Sequence, residues 1–375
     1  MLIYSVKGDV MGWNTLDIRR DLSLMEEALK KETNPVKIDR LITYISNIKY
    51  EIACEELNKF ERKEDDEDKA EDDIDNDLNE GTCYEEFTHN IADLEKYRLY
   101  YPHLKSYIDI CDKDLGRDHV FCEHGKLELT DDELIGLTHD FFKSTNKYYF
   151  NKYLLFEKNK DKILRIDKDK DCEDGFILAF PISNSRYIEV GGDGYSESVL
   201  VSLAHEIGHF IGSNINDGRY FAEDVFVEIE SLFFELISND YYYKVLGNKK
   251  FKENIIDHAY SYHDYAKRIM AYKRVHDKVF EDLYKLDKPY EYFGNISKQD
   301  KDFKDIDVDY RMKYLVSYLV ATELFEIYKD DKEKALHLLR EIVKPNHKKT
   351  EYKRITDNIE FNNNMKKHVK VIKHY

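Results

Sequence analysis

Apolar residues recur along most of the chain at the three-and-four spacing that gathers them on one face of a helix, and only five prolines and fifteen glycines interrupt them. Long helices should therefore dominate. Leu16 to Lys31, Val36 to Lys59, Tyr84 to Cys111 and Thr130 to Phe156 each read as helical. Asn34-Pro35 and Tyr101-Pro102 are breaks, because a proline pushes the residue before it out of helical backbone. These stretches make an N-terminal helical region, residues 1–160. From Ile163 to Val190 the texture changes: the β-rich runs Phe176 to Phe180 and Arg186 to Val190 flank Pro181-Ile182-Ser183-Asn184-Ser185, which predicts a small hairpin. Past Gly191-Gly192-Asp193-Gly194 helices return at Glu197 to Ile211, Ala222 to Leu246, Phe251 to Leu286, Ile306 to Tyr328 and Lys332 to Val343. This second region spans residues 161–375. The predicted fold class is mainly α, with a small β hairpin or sheet beside the helix at 197–211.

Composition narrows the function classes. With 42% hydrophobic residues over 375, the chain can bury a core without disulfide staples. Its longest apolar run, Phe176 to Ile182, is about a third of the ~20 residues a membrane-crossing helix needs, so no membrane partner is expected. Met1 to Val10 shows neither the apolar core nor the cleavage site of a secretory signal. Cys54, Cys83, Cys111, Cys122 and Cys172 are odd in number and form no CxxC pair, the usage of reduced thiols in the cytoplasm. The formal charge of −18 opposes nucleic acid as a partner. Half of it comes from residues 61–80, with twelve acidic side chains against three basic ones, a tract that reads as a solvated loop or frayed helix. Thirty tyrosines and twenty phenylalanines read first as core filling.

One segment carries chemistry: Leu203-Ala204-His205-Glu206-Ile207-Gly208-His209-Phe210. Histidines four apart on a helix stand one turn above the other, so both imidazoles reach one cation while Glu206 can touch a water on it. The bland alternative is an amphipathic helix with two partly exposed histidines. Val199, Leu200, Leu203, Ile207 and Phe210 argue against it, since they would bury the pair and burial without a partner is costly.

A catalytic zinc takes three protein ligands and keeps one position open, so a third ligand should lie downstream. Residues 221–231 offer four carboxylates after the loop Gly212 to Gly218. Glu228 is the candidate, because it sits among Val225, Val227, Ile229 and Leu232, where a carboxylate needs a cation. Glu223 and Glu230 read as a solvated face. The eighteen residues between His209 and Glu228 leave room for a helix end, a turn and a second, antiparallel helix.

Arg186 to Val190, the Gly-rich turn and Ser198 to His209 together resemble the zinc-binding region of the oligoendopeptidase F and thimet oligopeptidase family. Phe226 to Ser231, Glu235 and Asn239-Asp240-Tyr241 are similar to that family's ligand helix. The resemblance runs from Phe176 to about Tyr328 and implies a zincin-like metallopeptidase fold. It also implies one Zn2+ per chain on His205, His209 and Glu228, with Glu206 as general base. Tyr310, Tyr314 and Tyr318 are similar to a tyrosine-rich helix that faces the zinc. Tyr318 and then Tyr310 are the implied oxyanion donors, and Tyr314 a substrate contact. The chain is shorter than typical members, mostly at its N-terminal side, and it lacks the histidine that many carry in the tyrosine helix.

The expected activity is zinc-dependent hydrolysis of peptide bonds, in oligopeptides, by a water that Glu206 deprotonates. Arg186 to Val190 is expected to be a sheet edge, with Tyr187 and Ile188 against the substrate backbone. The alternatives are a thermolysin-like or aminopeptidase-like enzyme, or a non-catalytic zinc or partner-binding protein. Leu232 stands against the former, where those enzymes usually place an aspartate, and the intact Glu206 against the latter. Asp167 to Gly175 imitates a calcium loop with its glycine three places late, and Gly192-Asp193-Gly194 a dinucleotide loop without its third glycine.

Overall fold

The computed structural model describes residues 15–33, 94, 96–115, 126–127, 129–167, 175–180, 185–191, 195–212, 224–283, 308–344 and 349–372. The expected helix Val36 to Lys59, the acidic tract 61–80, Glu223, four of the five cysteines and the glycines at 192–194 lie outside these residues. In chain order the elements are α1 (Thr15–Lys31), α2 (Tyr101–Asp114), β1 (Lys126–Leu127), α3 (Asp131–Ser144), α4 (Lys147–Ile163), β2 (Leu164–Asp167), β3 (Gly175–Phe180), β4 (Ser185–Gly191), β5 (Tyr195–Ser196), α5 (Glu197–Gly212), α6 (Asp224–Leu246), α7 (Lys250–Leu283), α8 (Val308–Asp330), α9 (Lys332–Val343), α10 (Glu351–Thr356) and α11 (Met365–Ile372). The described chain is mainly helical with a small sheet beside α5, as the sequence predicts. None of the described helices is long and apolar enough to cross a membrane.

Local chemistry sets the boundaries. Thr130 opens α3 with a capping box: the Glu133 amide donates to Thr130 Oγ1 at 3.2 Å, and the Thr130 amide donates to Glu133 Oε2 at 2.8 Å. The single helix expected over Thr130 to Phe156 is two helices. Asn146 begins the second by accepting the Tyr149 amide at 3.1 Å, and such a capping side chain competes with continuous helix.

The expected hairpin is present, with β3 and β4 antiparallel from Gly175 opposite Val190 to Phe180 opposite Ser185. A third strand changes its meaning. β2 pairs in parallel with β4, Leu164 opposite Ile188, so the order is β2-β4-β3 and β4 is central. Arg186 to Val190 is therefore not a sheet edge, and Tyr187 and Ile188 are buried rather than presented to a peptide. The backbone groups left over by β3 are taken up by β2, whose Leu-Arg-Ile-Asp is too short to stand out as a strand. The outer strand beside α5 is β3.

The core is continuous from α2 to α11. Helices α5 and α8 both pack on α6, and α8 is buried from Leu315 through Glu326 without a solvent face. That leaves α6 between two partners, so side chains on its two sides meet different helices. Gly208 makes the α5 crossing close: a Cβ there would lie 2.7 Å from Ser231 Cα. Two helices approach this far only where one lacks a side chain.

Candidate metal centre

The Gly208–Ser231 crossing decides what faces what. Glu228 precedes Ser231 by one turn and His205 and His209 bracket Gly208, so the carboxylate is delivered onto the histidine pair. His205 Nε2 and His209 Nε2 stand 3.1 Å apart, and Glu228 Oε2 lies 3.4 Å from His209 Nε2 and 3.8 Å from His205 Nε2. A triangle with these edges has its centre about 2.0 Å from every corner, against Zn–N and Zn–O distances of about 2.0–2.2 Å. Three electron-pair donors turned toward one point repel unless they share a cation. The donor set, two imidazoles and one carboxylate, is that of a catalytic rather than a closed structural zinc site. These residues fit a zinc ion.

Surrounding groups aim the ligands. His205 Nδ1 donates to Glu235 Oε2 at 2.7 Å, which turns Nε2 to the metal point, where a metal ion would take the place of its proton. His258 Nε2 in turn reaches Glu235 Oε1 at 3.1 Å. Burial works against a charge on His205, but the hydrogen bond and charge of Glu235, with Glu206 and Glu228 behind it, win and lift its pKa to about 9. Burial dominates at His209 and lowers it despite Glu228. The two histidines differ because Glu235 serves only the first. Glu228 is 2% exposed, and burial would raise its pKa, yet His209, Lys313 and His205 together hold it well below the usual carboxylate range.

Glu206 joins the two histidines. Its ligand-type oxygen lies within 4.8 Å of the two histidine nitrogens, and a Cβ placed on Gly175 would meet Glu206 Cγ at 3.0 Å and Oε1 at 3.2 Å. The base candidate thus sits between the metal point and β3, where Gly175 makes room for it.

Tyr310 and Tyr314 flank Lys313, the cation beside Glu228, at 5.7 and 5.4 Å from their ring centres, and Tyr318 lies in the core. Tyr314 is partly exposed, and burial together with the charges of Glu228 and Glu206 raises its hydroxyl well above the usual range. The Tyr310 ring lies against it, 4.6 Å between centres. Tyr318 is fully buried, stacked on Tyr262 at 4.1 Å and edge-on to Tyr107, with Cys111 and Thr322 as neighbours of its hydroxyl. Cys111 is itself buried and its thiol is pushed up to about 12, the state of an inert core cysteine.

Sequence reasoning missed Lys313, and it offers His258 only as a reserve oxyanion donor beside His263 and His276, not as the partner of Glu235. Lys313, only 3% exposed, stands on α8 with its Nζ 3.7 Å from Glu228 Oε1. A lysine among Met312, Leu315 and Val316 needs an opposite charge, the same signal that marks Glu228. His258 has no such signal on its amphipathic helix.

No family model matches the chain, and no curated protein matches it. Among solved structures, PZ peptidase A with an inhibitor is similar over 80% of this chain and 58% of its own, at 11% identity and a TM-score of 0.49. A structure assigned as an oligoendopeptidase F is similar over 81% and 58%, at 11% identity and a TM-score of 0.49. One from Bacillus anthracis with the same assignment is similar over 90% and 62%, at 13% identity and a TM-score of 0.43. The chain spans about three fifths of the length of these proteins. With every TM-score below 0.5, the functional reading rests on the geometry of His205, His209 and Glu228.

Proposed function

We propose that this protein is a zinc-dependent peptidase that hydrolyses peptide bonds in oligopeptides. The observation that carries the reading is the convergence of His205 Nε2, His209 Nε2 and Glu228 Oε2 on one point, with the carboxylate of Glu206 beside it. A zinc ion held by those three residues would polarise a carbonyl and bring the pKa of a water down to roughly 7.

The remaining steps belong to the side chains. Glu206 takes a proton from the attacking water and delivers it to the leaving amine. Glu235 keeps His205 in the tautomer that presents Nε2. Tyr314, whose hydroxyl feels the charges of Glu228 and Glu206, donates to the carbonyl oxygen as negative charge develops there, an effect worth about 2.7–4 kcal/mol for a comparable donor. β3, the outer strand that touches Glu206, replaces β4 as the strand along which an extended peptide backbone lies. A non-catalytic binding protein would have no use for Glu206.

The test is digestion of a mixed peptide library by the zinc-loaded chain and by Glu206→Gln, read by mass spectrometry. Cleavage by the wild type that nearly vanishes in Glu206→Gln supports the proposal. An inert wild type, or equal cleavage by both, contradicts it.

A further inference from the structure

Lys313 is a costly residue where it stands. It sits on α8 just before the stretch that is buried around its circumference, its side chain is 3% exposed, and the rings of Tyr310 and Tyr314 flank it at 5.7 and 5.4 Å from their centres. A buried ammonium must meet an opposite charge or lose its proton. Its partner is one particular atom, Glu228 Oε1 at 3.7 Å.

The two oxygens of Glu228 thereby have separate tasks. Oε2 faces both imidazole nitrogens and accepts from Ser231 Oγ at 3.4 Å, while Oε1 is turned to α8 and its lysine. A carboxylate can bind a metal through one oxygen or through both, and the choice sets whether the ion keeps a free position. Within α6, Ser231 Oγ reaches Oε2 and leaves Oε1 to whatever α8 presents. The charge that splits the carboxylate comes from α8, the third helix of the stack.

We propose that Lys313 is a positioning residue that holds Glu228 as a one-oxygen metal ligand, reserving the remaining coordination positions for water and substrate. The proposal rests on the zinc site argued above. It assigns a task to a cation that neither touches the metal point nor takes part in proton transfer. The ammonium also opposes one negative charge in a ligand set that would otherwise be balanced only by the ion, so the ion keeps more of its Lewis acidity.

Cobalt reports coordination number directly, because four-coordinate Co2+ absorbs visible light strongly and five-coordinate Co2+ weakly. The Co2+-loaded wild-type chain should show the strong spectrum. Lys313→Met, which keeps the length and removes the charge, should lose much of that intensity as Oε1 joins the ion, and Lys313→Arg should restore it. An unchanged spectrum in Lys313→Met would overturn the proposal. Should Lys313→Met not fold, X-ray absorption of the zinc-loaded wild type decides. One carboxylate oxygen near 2.0–2.2 Å, with no second one close behind, supports the proposal, and two overturn it. Failure of the underlying reading looks different: a wild-type chain that binds no Co2+, or a His209→Ala variant that binds it normally, would remove the site itself.

Discussion

Gly208 and Ser231 touch across the α5–α6 crossing so closely that a single methyl at Gly208 would come within 2.7 Å of the Ser231 backbone. The metal centre depends on that contact, since the ligands stand one turn or less from it on either helix. Gly208→Ala should force the helices apart. The expected cost is about 1–3 kcal/mol of stability, as for overpacked cores, with weaker zinc binding because Glu228 moves away from the histidines. Chemical denaturation and a zinc titration measure the two effects, and wild-type values in both would show that the crossing has slack.

Glu235 touches the site only through His205. Glu235→Ala should leave all three ligands in place and still lower zinc affinity by about 10- to 100-fold, since His205 loses the group that orients it. Competition with a chelator gives the affinity. A change below about twofold would mean that packing alone holds the imidazole.

The tyrosines separate by position. Tyr314→Phe should keep the fold and the zinc while kcat falls by about a hundredfold or more, as for a lost oxyanion donor. Tyr318→Phe, deep in the Tyr107–Tyr262 stack, should change kcat little. The reverse order in the kcat values would return the role to Tyr318.

Glu323 gives a pH signature away from the site. It is buried on α8 and accepts the Asn364 amide at 2.9 Å and the Met365 amide at 3.1 Å, which caps α11. Burial outweighs these donors and pushes its carboxyl from 4.5 up to about 7. Between those values the folded state holds more proton than the unfolded one, so this residue's contribution is complete below pH 4.5 and is lost as pH rises through 7. Neighbouring Glu326 and His368 are both lowered and act in the opposite sense, so the comparison must be with Glu323→Gln. The variant should gain on the wild type, by on the order of 2 kcal/mol, as pH rises from 4 to 8. A pH-independent difference would contradict the buried-acid account.

What the chain reveals of itself follows the range of the forces involved. α9 begins and ends where its pattern predicts, because Asp331 accepts the Lys334 amide and the apolar positions Ala335, Leu336, Leu339 and Ile342 repeat at helical spacing. His205, Glu206 and His209 are legible for the same reason, as neighbours on one helix. The parallel pairing of β2 with β4 is not, because four residues of mixed polarity meet a strand more than twenty positions away. That pairing turned the expected edge into the sheet's centre. α11 escaped notice among its lysines, although Met365, His368, Val369 and Ile372 form one face. Lys313 shows the same limit. Its charge is visible in the sequence, but its aim at Glu228 exists only once α8 packs on α6.

The most direct measurement of the central claim is the zinc content of purified wild type, His205→Ala, His209→Ala and Glu206→Gln by mass spectrometry. The account predicts about one zinc per chain in wild type and in Glu206→Gln, where the base is replaced and the ligands are intact, and loss of zinc in both histidine variants. Full zinc occupancy in the two histidine variants would contradict it.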